Sequence, residues 1–128
     1  MDKDIKTQWV GALRSGEYTQ GTGQLREGSE EEAGAYCCLG VLCTLYDKAM
    51  GGDCWEYDSG GTATRYAHKG EKNYPSCAVM DWAGLWDVVP DGGENTVRIG
   101  RDDIGQLAIL NDEGKSFEEI ADLIESSL

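Results

Sequence analysis

Residues 36–46, YCCLGVLCTLY, are apolar on nearly every side, and the segment runs on through DKAM to a Gly51-Gly52 stop. A helix that is apolar all round has no face to offer to water, so the rest of the chain has to wrap it. A continuous apolar run also suits a buried strand, but this length and the glycine stop favour a helix over residues 36–50. At 128 residues the chain is long enough for one such core and too short for two, which predicts a single compact domain over residues 1–128.

The flanking segments supply the wrapping. Ile5, Trp9, Ala12 and Leu13 recur at helical spacing before Gly16, which predicts a first helix. Tyr18 to Leu25 reads as strand-like or irregular, and an exposed loop follows with the acidic run Glu30 to Glu32. Between Asp53 and Lys72, alternating aromatic residues around Gly60 and Gly61 predict an antiparallel hairpin. Pro75 and Ser76 open a short helix that carries Val79, Met80 and Trp82 and ends near Gly84. Short strands are expected around Trp86 to Val89 and Thr96 to Ile99, broken by Asp91, Gly92 and Gly93, and a helix from Asp102 to Asn111. Ser116 with Glu119 forms a capping box ahead of Phe117, Ile120, Ala121 and Ile124, which predicts a last helix to about Leu128. The fold class is therefore α+β, with four or five helices around a small antiparallel sheet and the helix of residues 36–50 at its centre.

Charge narrows the partners. A net charge of −13 opposes general attraction to nucleic acid or to an anionic membrane, so neither direct DNA binding nor a membrane surface is expected. Ten of the acids fall between residues 91 and 128, beside Arg98, Arg101 and Lys115. Such a face either keeps a protein soluble or mimics DNA to a basic partner. The N-terminus lacks a basic region followed by a signal-length apolar run, which points to the cytoplasm. Without such a signal, five cysteines read as reduced thiols packed in the core.

Three chemistries can be weighed against these residues. A zinc site usually draws on paired ligands two to four residues apart, and no C-x-x-C occurs among Cys37, Cys38, Cys43, Cys54 and Cys77, so neither a metal nor another cofactor is expected. A papain-like pair of Cys37 or Cys38 with His68 is conceivable, because a helix N-terminus lowers a thiol pKa and an imidazole takes the proton. The third chemistry is ligand binding: rings such as Trp55 and Tyr66 to stack a base, with arginines to hold phosphates. Glycine makes up 18 residues, about twice the ordinary frequency, which suits close backbone approach to a ligand. Arg65, Arg98, Arg101, Trp55 and Tyr66 are the expected ligand-binding residues, and Arg14 and Arg26 are further cations of the same kind. The segment LAILNDEGKSFEEIADLI looks like the start of a helix-turn-helix, but Glu118, Glu119, Asp122 and Glu125 would repel phosphate, so a structural hairpin is expected.

The order of motifs, W-x-x-A-L-R-S-G-E-Y-x-Q, YCCLGVLC, VMDWAGL and LNDEGKSFEEIADLI, resembles a set of small uncharacterised proteins of tailed bacteriophages and prophages. The resemblance assigns no catalytic residue. It implies a role in blunting host defence, either by sequestering a small nucleotide signal without catalysis or by occupying a host defence protein as an acidic, DNA-mimicking or anti-CRISPR-type inhibitor. A cysteine enzyme comes third, and the oligomeric state stays open.

Overall fold

The computed structural model describes residues 2–27, 34–58, 65–71, 74–85, 87–91, 94–98 and 100–127, with side chains placed throughout these except at 58, 65, 87–105 and 127. Among them run five helices: α1 (Lys3–Arg14), α2 (Cys38–Met50), α3 (Cys77–Ala83), α4 (Gly100–Asp112) and α5 (Phe117–Ser127). The strands are β1 (Arg26–Glu27), β2 (Ala35–Tyr36), β3 (Trp55–Asp58), β4 (Arg65–His68), β5 (Asp87–Asp91) and β6 (Glu94–Arg98). They pair in sequence as three two-stranded antiparallel sheets, β1-β2, β3-β4 and β5-β6. The α+β class holds, with the pairing divided among these short ladders. The Gly60-Gly61 turn and the break at Gly92-Gly93 lie outside the described residues.

Helix α2 is the centre, as its composition requires. Cys38, Leu39, Val41, Leu42 and Cys43 are fully buried, and α1, α3, α4 and β2 all pack on it. It begins two residues later than the apolar run suggests. Tyr36 is spent in β2, where it pairs with Arg26, and Cys37 is the N-cap without a side-chain cap bond. A helix start leaves amides unpaired. Here the chain supplies partners from elsewhere: Cys37 N–H donates to the Leu25 carbonyl at 3.1 Å, and Cys38 N–H to Asn111 Oδ1 at 3.2 Å. The same Leu25 carbonyl lies so close to α2 that a Cβ placed on Gly40 would stand 1.8 Å from its oxygen. Only glycine admits that approach.

Helix α1 is capped by Asp2, whose Oδ1 accepts the Ile5 amide at 2.9 Å, and it buries Ile5, Trp9, Val10 and Leu13. The Trp9 indole donates to the Cys38 carbonyl at 2.9 Å, so this fully buried ring loses no hydrogen bond. Helix α5 packs along α1 through Phe117, Ile120, Ala121 and Ile124, while Glu118, Glu119, Asp122 and Glu125 face solvent. Its cap is half of a capping box. Ser116 Oγ accepts the Glu119 amide at 3.2 Å, but the Glu119 carboxylate meets the Ser116 hydroxyl at 3.4 Å rather than the Ser116 amide.

The turn between α4 and α5 clasps the segment after α1. Asn111, fully buried, accepts from Cys38 N–H and from Gln20 Nε2 at 3.1 Å and donates to the Gly21 carbonyl at 2.7 Å. Gln20 also donates to the Lys115 carbonyl at 2.6 Å and accepts the Phe117 amide at 3.2 Å. Asp112 Oδ1 takes the Gly23 amide at 2.8 Å. The YTQGTG and LNDEGKS motifs are thus two halves of one polar clasp. No helix among the described residues is long and apolar enough to cross a membrane.

Candidate functional site

Among the described residues, the β3-β4 pair carries a dense cluster of rings. Period-2 alternation puts Trp55 with Tyr57, and Tyr66 with His68, on one face. The register sets Trp55 opposite His68 and Tyr57 opposite Tyr66, so four rings share that face. Trp55 meets the His68 ring at 4.9 Å and Tyr66 at 6.4 Å, both edge to face, and Tyr57 meets Tyr66 at 5.1 Å. Tyr36, brought by β2, stands edge-on to Trp55 at 6.0 Å, and Tyr18 continues the chain of rings at 5.5 Å from Tyr36. The Trp55 indole is oriented by the Thr44 hydroxyl of α2 at 3.3 Å.

Into this bowl β1 places a cation. The Arg26 guanidinium lies 3.9 Å from the Tyr66 ring centre, 5.1 Å from that of Tyr36 and 5.5 Å from that of Trp55. Attraction between a cation and the negative faces of rings holds it there, and partial burial strengthens that attraction. Burial pushes the Tyr36 phenol pKa up, while Arg26 pulls it the other way. Tyr66 is buried, and Trp55, Tyr57, Tyr36 and Arg26 are each half-buried, so the ring cluster keeps an open edge. The Arg26 guanidinium is thus framed by the rings of Tyr36, Trp55 and Tyr66.

Of the residues expected to bind a ligand, Trp55 and Tyr66 are therefore brought together. Arg65 precedes Tyr66 in β4, Arg98 closes β6 and Arg101 is the second residue of α4, but the side chains of all three lie outside the described residues. Among the described side chains, Arg26 is the cation that reaches the Tyr36, Trp55 and Tyr66 rings. Arg14 instead joins α1 to α5, pairing with Glu125 at 2.6 Å and with Asp122.

The thiols follow burial. Cys37, Cys38 and Cys43 are buried, Cys54 is half-buried, and Cys77 is exposed because it opens α3 on its solvent side, a correction to the expectation of wholly buried thiols. Burial pushes Cys37 up to about 11 and the Cys38 and Cys43 thiols well above their ordinary value. A helix N-terminus does not offset that desolvation, so these sulfurs stay protonated at neutral pH. His68 also turns elsewhere: it is fully buried and its Nε2 bonds Asp47 Oδ1 at 2.8 Å, while Cys38 Sγ meets the Leu107 carbonyl at 3.7 Å. The papain-like pairing of Cys37 or Cys38 with His68 finds no hydrogen bond here.

Sequence reading missed Asp47, Asn111 and Gln20. Asp47 falls four residues after Cys43 and Asn111 four after Leu107, each on the buried side of its helix, and a polar residue at an apolar helical position is the signal that marks both. Beside the cap of α2, a cleft of about 230 Å³ lies between Gly23, Gln24, Cys37, Tyr74, Ala108 and Asp112. Its Asp112 carboxylate makes it a poor seat for an anion.

No curated protein and no solved structure matches the chain. A family model does match it, over residues 1–128, and the chain belongs to that family, described as Domain of unknown function (DUF8296).

Proposed function

We propose that this protein is a phage counter-defence protein that works in the host cytoplasm by binding a small nucleotide signal and holding it without turning it over. The observation that carries this reading is the bowl of Tyr36, Trp55 and Tyr66 around the Arg26 guanidinium. Half-buried ring edges offer a surface for a planar base, and a cation within the same cluster favours an anionic ligand over a neutral one. Arg65, Arg98 and Arg101 are the further cations this reading assigns to phosphate groups. The phage context rests on the motif resemblance. Storage rather than turnover is supported by the raised pKa of the buried Cys37, Cys38 and Cys43 thiols and by the Asp47-His68 hydrogen bond, which engages the imidazole away from them.

A thermal-shift screen of cyclic dinucleotides, cyclic trinucleotides and ADP-ribose derivatives tests the claim. At a ligand concentration of 100 times Kd, binding stabilises by about 2.7 kcal/mol, a melting shift on the order of 5 to 10 °C for a domain of this size. The ligand should be released intact on heating, and Trp55→Ala should abolish the shift. No shift across the panel would overturn the nucleotide reading. The alternative is an acidic inhibitor of a host defence protein, favoured by the exposed Glu118, Glu119, Asp122 and Glu125 on α5. It predicts salt-sensitive binding to a basic protein that Trp55→Ala leaves intact.

A further inference from the structure

Behind the ring cluster, and independent of its ligand, three side chains of metal-binding chemistry converge. Asp47 sits on the buried face of α2, Cys54 on the segment that returns from the helix, and His68 at the end of β4. One ligand atom from each lies within 4.8 Å of the other two. Backbone geometry holds them there. Gly51, at φ 76°, reverses the chain after α2, and the Gly52 amide bonds the Asp47 carbonyl at 3.0 Å. The Cys54 carbonyl then accepts the Lys69 amide at 3.3 Å, which fixes Cys54 beside His68. The Trp55 and Tyr46 rings, 4.9 and 5.9 Å from the imidazole, wall it from water.

The polar accounting at this place is incomplete. His68 is 0% exposed and Asp47 4%, and the bond between Nε2 and Oδ1 satisfies only one atom of each. Asp47 Oδ2 and His68 Nδ1 are both buried without a hydrogen-bond partner among the described residues. Buried polar atoms are nearly always paired, and two orphans on one hydrogen-bonded couple call for an explanation. We propose that Asp47, Cys54 and His68 form a binding site for a divalent transition metal, with Zn2+ the ion best matched to the set.

A carboxylate oxygen, an imidazole nitrogen and a thiolate are the three donor types zinc accepts, and together they select against Mg2+ and Ca2+, which take oxygen ligands. Charge closes as well: Asp47 carboxylate and Cys54 thiolate carry two negative charges against the two positive charges of the ion, with His68 neutral. On binding, the Cys54 S–H bond breaks, sulfur keeps the electron pair and bonds the metal, and the proton leaves to solvent. An ordinary thiol carries this proton at neutral pH, before the metal arrives. Cys54 is half-buried and provides the way in. Three protein ligands leave the fourth tetrahedral position to water or to a group brought by another molecule.

Co2+ is the probe, added to the reduced 128-residue chain. The expected result is one Co2+ per chain, with tetrahedral visible bands and a thiolate-to-cobalt charge-transfer band, one proton released per ion, and displacement of the colour by Zn2+. Cys54→Ala should abolish the charge-transfer band. Asp47→Asn should weaken affinity by more than about 100-fold, beyond the 10- to 100-fold effects of residues outside the coordination sphere. Cys77→Ser, which removes the exposed thiol, should change nothing. Circular dichroism of each variant confirms the fold, and Cys54→Ala, at a half-buried position, is the variant expected to keep it. No charge-transfer band in the parent chain, or a band that survives Cys54→Ala or disappears with Cys77→Ser, would overturn the assignment.

Discussion

Replacing Asn111 with alanine removes the centre of the polar clasp. The side chain is fully buried and makes three hydrogen bonds, to Cys38 N–H, to Gln20 Nε2 and to the Gly21 carbonyl. Gln20 keeps its bonds to Lys115 and Phe117, but the other two partners are backbone groups with no alternative donor or acceptor in the clasp. Each buried group left unpaired costs about 1 to 3 kcal/mol, so the loss is about 2 to 6 kcal/mol before any cavity contribution. Against a total stability of about 5 to 15 kcal/mol this is a large fraction, and the melting point should fall on the order of 10 °C. Urea unfolding with an unchanged m-value measures it. Asn111→Asp keeps the acceptor for Cys38 but sets an oxygen against the Gly21 carbonyl, so it should lose stability as well, most at neutral pH where the carboxyl ionises. A parent-like midpoint for Asn111→Ala, within about 0.5 kcal/mol, would refute the clasp as a source of stability.

Gly40→Ala should destabilise by about 3 kcal/mol or more, since the clash is with the Leu25 backbone and no rotamer relieves it, and a soluble variant with a parent-like melting point would contradict the close approach. Ile120→Ala or Ile124→Ala should cost about 2 to 5 kcal/mol by opening a cavity between α5 and α1, while exposed Glu118→Ala should cost less than about 0.5 kcal/mol; equal melting points for the two classes would count against that packing. Alkaline titration should weaken the fold. An unfolded thiol ionises near pH 8.5, but Cys37 holds its proton to about 11, so between these values the folded chain binds more protons and stability falls as pH rises. The loss from Cys37 by pH 10 is about 2 kcal/mol, absent in Cys37→Ala, and a flat urea midpoint between pH 8 and pH 10 would refute it.

Much of the fold is legible in local pattern because its helices are amphipathic or apolar in ways that one turn of sequence reveals. Ser76 and Ser116 announce helix starts, and Gly51 and Gly84 announce ends. The start of α2 was misplaced by two residues because Tyr36 answers to a partner strand, and strand pairing is not written in the residues it captures. The ring cluster was half legible. Trp55 and Tyr66 follow from hairpin alternation, but which arginine reaches them depends on β1 crossing next to β4, a contact between residues 40 apart in sequence. Asp47 and Asn111 carry a weaker mark: each stands at the apolar spacing of its helix, a signal that gains its meaning once that face is known to be buried.

The most direct test of the ligand-binding reading follows the two indole N–H resonances of Trp55 and Trp9 by NMR while a nucleotide that passes the thermal screen is titrated in. Trp55 is half-buried in the ring cluster beside Arg26, whereas Trp9 is fully buried with its N–H on the Cys38 carbonyl. The account predicts that the Trp55 resonance, with ring signals of Tyr36 and Tyr66, moves in saturable proportion to bound ligand and that Trp9 stays in place. Saturable binding that leaves Trp55 unmoved would place the ligand elsewhere and contradict the assignment of this site.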